Sequence, residues 1–445
     1  MRVWLVTVGE PVPTDGADVR LYRTGILCEM LARAGHDVTW WTSTFDHMKK
    51  KHRYDTTETV RLTDRSRIVL LRSIGYRRNV SIRRIVDHRM LARLFAKRAR
   101  TEDRPDVIVC SFPTIELAAA SVAYGRANGV PVVLDVRDLW PEIFLELGPR
   151  WMRPLMNVGL WPMWTATREA LRGATAISGN TAEFVKWGLR LAGRHAGRFD
   201  RHFLFGYPVP EIAPEEEAST KEFWEGHGLA ADGSEFIACF LGTVGRQFDL
   251  ETVVDAAIRL QAGGERFKVV ICGVGEKLQA LKERASGHSN IVFPGWVSRK
   301  QIWMMMGMAS VGLAPYVGGM GFERSTPNKV VEYLAAGLPI VSSLEGLARD
   351  LLDKHRCGVT YRCGDVAALA EIFIQLRSDR ARLATMSCNA KQLFETTYSA
   401  DKVYGEMIEY LCEVGSAGHS GGRASSTPAG SRADVAVRMQ ASRKS

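Results

Sequence analysis

The chain has 445 residues, enough for two domains with their own cores, and its 46% hydrophobic and 24% charged residues are typical of a globular protein. No apolar run approaches the roughly 20 residues that a membrane-spanning helix needs, and the apolar N-terminus is too short for a signal peptide. The eight cysteines show no Cys-x-x-Cys pair and no histidine cluster at metal spacing. We therefore expect reduced thiols in a cytoplasmic protein, without a disulfide framework or a bound metal.

The net charge of +10 is concentrated in the first half of the chain. Residues 1–205 contain 33 Lys and Arg against 21 Asp and Glu, whereas the remainder contains 26 against 28. Residues 51–100 alone hold 15 basic and 4 acidic residues. This imbalance indicates a polyanionic partner for the first half only.

Apolar strand patterns alternate with helix-length segments along most of the chain. The predicted strands are residues 3–8, 38–41, 107–110, 132–135 and 176–178, followed by 236–241, 268–272, 291–293, 311–314, 340–342 and 358–361. Continuous apolar strands separated by helices are typical of parallel sheets covered on both faces. The sequence therefore predicts an α/β protein of two doubly wound, Rossmann-like domains in tandem.

A stretch rich in Pro and Glu, residues 206–217, marks the predicted boundary between the domains. We expect a first domain over residues 1–205 and a second over residues 206–395. Residues 396–413 are predicted to form a C-terminal helix that can cross back to the first domain. Residues 414–445 are predicted to be a disordered tail, because their Gly, Ser, Ala and Arg bury too little apolar surface to offset the entropy of ordering.

A segment of the second predicted domain combines a helix start with two charged side chains. Thr326 can cap a helix whose first residue is Pro327 and which ends at Gly337. Lys329 and Glu332 then lie on one face of its first turns. The N–H groups of such a helix start suit a phosphate, Lys329 adds charge for a diphosphate, and Glu332 can accept hydrogen bonds from ribose hydroxyls. An ordinary capped helix with a surface Lys–Glu pair would show the same local pattern.

Three motifs resemble those of the retaining glycosyltransferases of family four. The first is PNKVVEYLAAGLPIV at residues 327–341, which is similar to the donor-binding motif of that family. The others are VLDVRDLWPE at residues 133–142 and LARAGHDV at residues 31–38. The motifs keep the family's order, and the resemblance extends from the N-terminus to residue 412. It is strongest to the subgroup that builds bacterial O-antigen, capsule and exopolysaccharide.

The resemblance implies the GT-B fold, in which two Rossmann-like domains face each other across a cleft. The first domain would take the acceptor, and the second would hold the sugar nucleotide. It also implies transfer of the sugar with retention, usually without a metal ion. The residues that it assigns to the donor are Gly245, Arg246, Gly273, Gly275, Trp296, Val297, Asn328, Lys329 and Glu332.

Several of these donor residues lie in three loops that resemble family segments. GTVGR at residues 242–246 stands where the family places a loop against the donor diphosphate, and GVGE at residues 273–276 resembles the next such loop. FPGWV at residues 293–297 resembles the segment whose backbone holds the nucleobase. For the two glycine loops a plain strand-to-helix turn remains an alternative, because neither is a complete phosphate-loop pattern.

The sequence departs from the family's pattern at several charged positions. Many members have two carboxylates separated by seven residues, but counting back from Glu332 leads to Arg324, and Glu323 is one place out of register. Thr243 and Phe248 stand where many members have an Arg and a Lys. These changes affect the expected catalytic roles more than the expected fold.

Catalysis is expected to rest on positive charge around the leaving diphosphate. Arg246 and Lys329 are the nearest substitutes for the missing basic residues, together with the helix start at Pro327. Retention implies attack on the same face, in which an oxygen of the leaving group can accept the acceptor's proton. No dedicated protein base is then required.

The acceptor side is predicted at the carboxyl edge of the first sheet. The loop GEPVPTDG at residues 9–16 follows the first strand. Asp138 is the preferred group for positioning the acceptor hydroxyl, and it is expected to act in catalysis; a role in stabilising its own loop is the alternative. The residues assigned to the acceptor or phosphate side are Gly16, Arg20, Arg23 and Arg137, the last in place of a histidine that the family often has. A solvated first helical turn would equally explain Arg20 and Arg23.

Residues 72–100 interleave arginines with apolar residues at helical spacing. A basic helix with an apolar stripe binds anionic lipid surfaces, and each basic residue near such a surface contributes roughly 1 kcal/mol. The Trp- and Met-rich residues 151–164 can lie against the same interface. We therefore expect peripheral contact with the inner face of the plasma membrane, with a core face and a solvated charged back as the alternative. No recognition motif supports nucleic acid as the partner.

The sequence thus predicts a glycosyltransferase that moves a hexosyl or N-acetylhexosaminyl group from a nucleoside diphosphate, by preference UDP, to a lipid-linked saccharide. A sugar-nucleotide epimerase of the same fold remains an alternative, and it would release a modified sugar nucleotide without an acceptor. A non-catalytic sugar-nucleotide-binding partner would explain the missing motif residues.

Overall fold

The computed structural model describes residues 1–16, 19–146, 149–229, 235–318, 322 and 326–423. Two parallel sheets, each covered by helices, form its two domains. The predicted fold class is therefore confirmed. The carboxyl ends of strands in both sheets border a common cleft, because Arg137, Asn180 and Gly242, which line it, each directly follow a strand.

The first domain is built on an eight-stranded sheet in the order β10-β9-β8-β7-β1-β2-β6-β5. All neighbours are parallel except β5, which runs antiparallel to β6, and β3 and β4 form a separate hairpin. The strands are β1 (Arg2–Val6), β2 (Asp37–Ser43), β3 (Phe45–Asp46), β4 (Lys51–His52), β5 (Glu58–Arg61), β6 (Ser66–Leu71), β7 (Val107–Phe112), β8 (Val132–Val136), β9 (Ala176–Gly179) and β10 (Arg201–His202). The helices before the domain boundary are α1 (Arg23–Arg33), α2 (Ile82–Arg98), α3 (Ile115–Asn128), α4 (Arg153–Gly159), α5 (Trp161–Gly173) and α6 (Ala182–Ala192).

The second domain is built on a six-stranded parallel sheet in the order β13-β12-β11-β14-β15-β16. Its strands are β11 (Phe236–Leu241), β12 (Phe267–Cys272), β13 (Ile291–Gly295), β14 (Val311–Ala314), β15 (Ile340–Ser342) and β16 (Gly358–Thr360). Its helices are α7 (Pro214–Gly226), α8 (Leu250–Ala262), α9 (Leu278–Arg284), α10 (Arg299–Met308), α11 (Asn328–Ala335), α12 (Leu347–His355), α13 (Val366–Ser378) and α14 (Arg380–Leu393), and the chain then returns through a π turn and α15 (Ala400–Arg423). In both sheets the order reverses beside the first strand of the domain, which is where doubly wound sheets bind ligands.

Buried aromatic side chains fix the helices to the first sheet. Trp4 on β1 and Trp41 on β2 meet edge to face with ring centroids 5.0 Å apart, and Trp41 meets Phe95 of α2 at 5.1 Å. All three are at most 1% exposed. Edge-to-face pairs add about 0.5–1.5 kcal/mol to the burial of their area, so this cluster holds α2 firmly on the sheet.

The two crossings between the domains run side by side. Tyr207, on the way out, donates its backbone N–H to the carbonyl of Tyr398 at 2.9 Å, and Ala400, on the way back, donates to the carbonyl of Tyr207 at 3.2 Å. At Gly206 an added Cβ would lie 3.1 Å from the Cα of Ala400, so glycine permits this close approach. Both crossings thus meet at one place on the molecule.

The C-terminal helix α15 completes the core of the first domain. Its residues Tyr404, Met407, Leu411 and Val414 are at most 1% exposed and pack in one apolar cluster with the side chain of Leu5 on β1. The helix continues to Arg423, beyond the predicted end at residue 413.

The predicted disordered tail is wrong where the structure describes it. Residues 414–423 continue α15, and the backbone of Gly415 lies beside Asp106 of the first domain. The physical reason is that this turn has the first domain to pack on, which composition does not reveal. Residues 424–445 lie outside the described residues.

Several first-domain strands were not predicted, among them β6. Its buried Ile68, Val69 and Leu70 lie between arginines, and charged residues dominate the surrounding composition. The neighbouring β5 alternates between half-buried and exposed positions, as an edge strand does. The strongly basic stretch therefore contains part of the sheet as well as a helix.

Candidate active site in the interdomain cleft

A cavity of about 490 Å³ lies between the two domains. The first domain contributes Arg20, Tyr22, Arg137, Asp138, Leu139, Glu142, Ile143, Asn180, Phe184 and Phe205 to its walls. The second domain contributes Leu241, Gly242, Gln247, Phe248, Tyr316, Phe322, Thr326, Pro327, Asn328, Lys329 and Glu332. The walls thus combine apolar and aromatic groups with a few charged ones, as small-molecule sites commonly do.

The start of α11 faces this cavity. Pro327 is the N-cap residue, with φ −63° and ψ 148°, and its own side chain makes no capping hydrogen bond. The helix begins at Asn328, so the predicted cap at Thr326 is wrong by one residue. The first backbone N–H groups of α11 are therefore available to an anion in the cleft.

Glu332, one turn into α11, is paired across the cleft. Its side chain is 7% exposed and accepts a hydrogen bond from the guanidinium of Arg20, which belongs to the first domain. Burial lowers the pKa of Arg20, but the charge of Glu332 outweighs it, and the pKa of Arg20 is raised overall. This ion pair joins the two walls of the cavity.

Lys329 of α11 is 7% exposed, and its side chain reaches the carboxyl end of β11. Its ammonium donates to the carbonyl of Leu241 and lies 4.0 Å from the ring centroid of Phe240 and 5.1 Å from that of Phe248. Burial lowers the pKa of Lys329 to about 8, although the charge of Glu332 opposes the shift. The ammonium therefore stays charged near pH 7 and faces the Gly242 loop.

The structure does not bring Arg246 to the cavity. Its side chain is 83% exposed and pairs with Glu276 at 3.2 Å. Gly245 lies beside it and is likewise absent from the cavity wall. Gln247, the next residue, lines the cavity instead. A donor contact by Gly245 or Arg246 stays a prediction that this arrangement does not support.

The predicted donor loop at residues 273–276 is packed against the backbone of Gly242 and Val244. An added Cβ at Gly273 would lie 1.8 Å from the carbonyl oxygen of Gly242, and at Gly275 it would lie 2.2 Å from that of Val244. These close approaches explain both glycines without a ligand, which favours the plain-turn alternative. Trp296 is 70% exposed.

Val297, by contrast, is 6% exposed and belongs to the apolar core of the second domain. It follows Trp296 on the segment predicted to hold the nucleobase, and neither residue lines the cavity. Glu323 and Arg324, the positions at which the sequence departs from the family's carboxylate pair, lie outside the described residues.

Arg23 does not reach the cavity either. It is 2% exposed, pairs with Asp135 at 2.9 Å, and donates to the carbonyls of Phe203 and Leu204 at 2.9 and 2.8 Å. Burial raises the pKa of Asp135, but Arg23 and Arg137 outweigh it and lower that pKa to about 2. Arg23 is therefore the counter-ion of the buried Asp135 carboxylate and not, as predicted, a phosphate-binding residue.

Arg137 occupies an intermediate position between core and cleft. It pairs with Asp135 at 2.8 Å and with Glu10, and it also donates to the hydroxyl of Thr24 at 3.1 Å. Its guanidinium is thus largely satisfied, although the residue still lines the cavity. Gly16 lines a second, larger groove behind Arg20 and not the cavity itself.

Asp138 has an open carboxylate in the cleft. The residue is exposed, and among the described residues its carboxylate has no hydrogen-bond donor. The cleft walls partly desolvate it and raise its pKa above 3.8, while Arg84 and Arg137 act in the opposite direction. A carboxylate in this position can accept a hydrogen bond from a hydroxyl group in the cavity.

Asn180 is a cavity residue that sequence reasoning missed. It follows β9 at the carboxyl edge of the sheet and is 5% exposed, and its side-chain oxygen has no hydrogen-bond partner within the described part of the chain. Its position directly after a strand was the available signal. Across the same described ranges, no group of three or more His, Cys, Asp or Glu side chains is placed to hold a metal ion.

Both domains match known families. Residues 22–200 match the family described as Glycosyl transferase 4-like domain, and residues 235–379 match Glycosyl transferases group 1. The two matches together cover more than two thirds of the chain.

Curated relatives align with part of the chain. The putative colanic acid biosynthesis glycosyltransferase WcaL of Escherichia coli (strain K12) is 27% identical over 169 residues, which is 36% of this chain and 41% of the relative. The amylovoran biosynthesis glycosyltransferase AmsK of Erwinia amylovora is 26% identical over 166 residues, with the same two coverages. The chain thus spans about two fifths of the length of the curated relatives it matches.

Solved structures share the fold over nearly the whole chain. Sucrose-phosphate synthase from Thermosynechococcus elongatus superposes with a TM-score of 0.65 at 16% identity, covering 94% of this chain and 99% of that one. Anabaena Alr3699/HepE, in complex with UDP, superposes with a TM-score of 0.60 at 15% identity, covering 93% and 99%. Each domain is thus matched by a glycosyltransferase family, in this order, and the chain has the two-domain GT-B fold of these solved structures.

Proposed function

We propose that this protein transfers a hexosyl or N-acetylhexosaminyl group, with retention, from a UDP-sugar to a lipid-linked saccharide during the synthesis of a bacterial surface polysaccharide. The relatives named for colanic acid and amylovoran biosynthesis support the pathway class. Anabaena HepE, a structural neighbour, is seen with UDP and with UDP-glucose, which supports the donor class. The observation that carries the proposal is the placement of Lys329, Glu332 and the start of α11 on one wall of the cleft.

Each of these groups suits one part of the donor. The free N–H groups at the start of α11 and the ammonium of Lys329 suit the diphosphate, because both present positive charge in a partly dehydrated cavity. The carboxylate of Glu332 suits the ribose hydroxyls. Since Arg20 holds that carboxylate here, the ribose would displace Arg20, and the guanidinium would then be available to the diphosphate.

The chemical step depends on stabilising the leaving group. The bond between the anomeric carbon and the UDP oxygen breaks, and the acceptor oxygen bonds to the same face of that carbon. The acceptor's proton passes to an oxygen of the departing diphosphate, so the proposed step uses neither a protein base nor a metal ion. Lys329 and the helix N–H groups stabilise the charge that develops on the diphosphate, while Asp138 orients the acceptor hydroxyl.

Exposed apolar side chains support a membrane-bound acceptor. Trp151 is 79% exposed, Leu155 69%, Val158 72% and Trp161 64%, and all four lie on or beside the short helix α4 of the first domain. Together with the basic helix α2 they suit the interface of an anionic membrane. In the described part of the chain, no helix is long and apolar enough to cross a bilayer. We therefore propose peripheral binding to the inner face of the plasma membrane.

The purified protein tests the proposal. Lys329→Ala should reduce sugar transfer from the accepted UDP-sugar by about a hundredfold or more, as the loss of one charge-stabilising group commonly does. Its fold should be retained, as judged by circular dichroism. Lys354→Ala, which removes an exposed lysine on α12, is the matched control and should leave transfer unchanged.

Three outcomes would contradict the assignment. Near-normal transfer by Lys329→Ala would exclude Lys329 from the donor site. Release of a modified sugar nucleotide without any acceptor would identify an epimerase. Binding of UDP-sugars without turnover, with membranes and lipid-linked saccharides present, would identify a non-catalytic binding protein.

A further inference from the structure

A cluster of basic side chains on aromatic rings lies beside the cleft, outside the donor site. We define the Arg84 cluster as Arg84, Lys50 and His47 together with the rings of Tyr76 and Trp140. The guanidinium of Arg84 lies 4.6 Å from the ring centroid of Trp140 and 5.4 Å from that of Tyr76, and the ammonium of Lys50 lies 5.0 Å from the Tyr76 ring. The phenol of Tyr76 is also 2.6 Å from Nδ1 of His47.

Among the described residues, the two cations of the Arg84 cluster have no carboxylate partner. Within the described ranges no Asp or Glu oxygen lies within 4.0 Å of Arg84 or Lys50, whereas Arg53 in the same domain pairs with Asp15 at 2.5 Å. Arg84 donates to the carbonyl of Asn79 at 2.9 Å and to His88 at 3.5 Å, which leaves one NH2 group of the guanidinium without a protein acceptor there. Lys50 donates to Oδ1 of Asn79 at 2.5 Å and lies 3.5 Å from Nδ1 of His47. Part of the donor capacity of both cations therefore remains for a ligand.

The positive charges of the Arg84 cluster favour a bound anion. Burial, Lys50 and Arg84 together lower the pKa of His47 to about 4, so His47 is neutral at pH 7. Burial and the charge of Arg84 also lower the pKa of Lys50. Two positive charges therefore repel each other beside a neutral imidazole, with the carboxylate of Asp46 acting in the opposite direction, and a bound anion would relieve this repulsion.

The cluster is adjacent to the acceptor wall of the cleft. Trp140, whose ring contacts the guanidinium of Arg84, is two residues from Asp138 in the sequence. The charge of Arg84 also lowers the pKa of the Asp138 carboxyl, against the effect of burial. An added Cβ at Gly9, in the loop after β1, would lie 3.8 Å from the Cβ of His47. The cluster therefore borders the loops at the carboxyl edge of the first sheet, next to the group that orients the acceptor.

Exposed apolar side chains are neighbours of the Arg84 cluster in the sequence. Met48, in the same turn as Lys50, is 71% exposed, while Val80 and Ile82 at the start of α2 are 64% and 80% exposed. Lys50 itself adopts φ 56°, a backbone conformation that residues other than glycine rarely adopt. Positive charge next to exposed apolar side chains suits a ligand that carries a phosphate on an apolar chain.

We propose that Arg84 and Lys50 bind the phosphate or pyrophosphate of the acceptor lipid, so that the saccharide beyond it reaches Asp138. This inference rests on the proposed function, because it names the chemical class of the acceptor for that site. The planar guanidinium held on two rings presents its N–H edge to phosphate oxygens, and the ammonium adds a point charge.

The test uses the full-length protein and farnesyl pyrophosphate below its critical micelle concentration. Quenching of tryptophan fluorescence, to which Trp140 contributes, reports binding. Arg84→Gln and Lys50→Gln should each weaken binding by about tenfold, the usual order for one charge-assisted contact. Arg84→Lys should recover part of the loss, and farnesol, which lacks the pyrophosphate, should bind weakly to all variants. Lys97→Gln, at the far end of α2, is the matched control and should bind as the wild type does.

Measurements with UDP and with vesicles separate the alternatives. UDP should bind equally to the wild type and to Arg84→Gln, which shows that the fold and the donor site are intact. If farnesyl pyrophosphate binding depends on Arg84 while UDP does not bind the wild type, the Arg84 site stands and the proposed function fails. If Arg84→Gln and Lys50→Gln bind farnesyl pyrophosphate as the wild type does, the proposal is overturned. It is also overturned if these variants lose binding only to phosphatidylglycerol vesicles, because the cluster would then hold a membrane headgroup.

Discussion

Lys329 is the residue in the cleft whose charge responds most directly to pH. Its pKa is about 8 in the folded protein and near 10.5 in the unfolded chain, because burial disfavours the ammonium. Between these pH values the unfolded chain holds a proton that the folded chain has released. The contribution of Lys329 to the free energy of unfolding therefore rises with pH across this interval.

Donor binding should show the opposite trend. The diphosphate requires the charged ammonium, so the affinity for UDP should fall as pH rises above about 8, by up to about tenfold per pH unit. Calorimetric titrations of UDP between pH 6.5 and 9.5 would measure this fall. Lys329→Arg keeps its charge over the whole range, so its UDP affinity should be independent of pH above 7. A wild-type affinity that stays constant up to pH 9.5 would rule out a role for the Lys329 charge.

Local spacing sufficed to predict some residues of the site and not others. Lys329 and Glu332 were predicted because the helix start and the three-residue spacing between them are both visible in one short segment of the sequence. The partner of Glu332 is Arg20, 312 residues away, and no local pattern indicates such a contact. Arg23 was misassigned for the same reason, since its buried partner Asp135 is visible only in the folded domain.

Among the elements, α11 depends on the glycine that ends it. Gly337 has φ +65°, and an added Cβ there would meet only ordinary contacts, the nearest at 3.5 Å. Gly337→Ala should therefore cost only the backbone strain of a left-handed residue, about 1–2 kcal/mol of unfolding free energy. UDP affinity should change little, because the ligand-binding end of the helix is the other one.

A second glycine provides the control for that measurement. Gly307 lies within α10 and an added Cβ would meet nothing within 4 Å. Gly307→Ala should raise the unfolding free energy by up to about 1 kcal/mol, because alanine favours the helix. Urea unfolding of both variants gives the two values. Equal effects of the two substitutions would show that the left-handed conformation at Gly337 carries no special cost.

Elements with a continuous apolar pattern were predicted, and those with mixed composition were not. The buried strand β11 stands out as six apolar residues, whereas β6 is flanked by arginines, and β3 and β4 are two residues long. The fold class therefore followed from the central strands, which are buried on both faces. The edge strands and the hairpin that carries Lys50 depend on tertiary contacts that a single-sequence pattern does not record.

For the molecule as a whole, the Arg20–Glu332 ion pair links the positions of the two domains. Uridine has a ribose but no phosphate, so its ribose must displace Arg20 from Glu332 without offering the guanidinium a new anionic partner. Arg20→Gln should therefore strengthen uridine binding. UDP offers the displaced guanidinium a diphosphate, so the same variant should weaken UDP binding.

The quantity to measure is the affinity for UDP divided by the affinity for uridine, because this ratio cancels any general effect of the substitution on the cavity. The ratio should fall by about tenfold or more in Arg20→Gln. Arg100→Gln, at an exposed position after α2, should leave the ratio at the wild-type value. An unchanged ratio in Arg20→Gln would mean that Arg20 neither competes with the ribose nor reaches the diphosphate.

The neighbouring crossings at Tyr207 and Ala400 give the molecule a modular construction. In topological terms the second domain is an insertion into the first, since α15 returns to complete the first core. The two ends of that insertion lie within hydrogen-bonding distance of each other. The second domain can therefore be exchanged through a single junction, while the first domain, made of residues from both sides of the insertion, keeps its own core. Under the proposed function, this arrangement lets donor and acceptor specificity diverge separately.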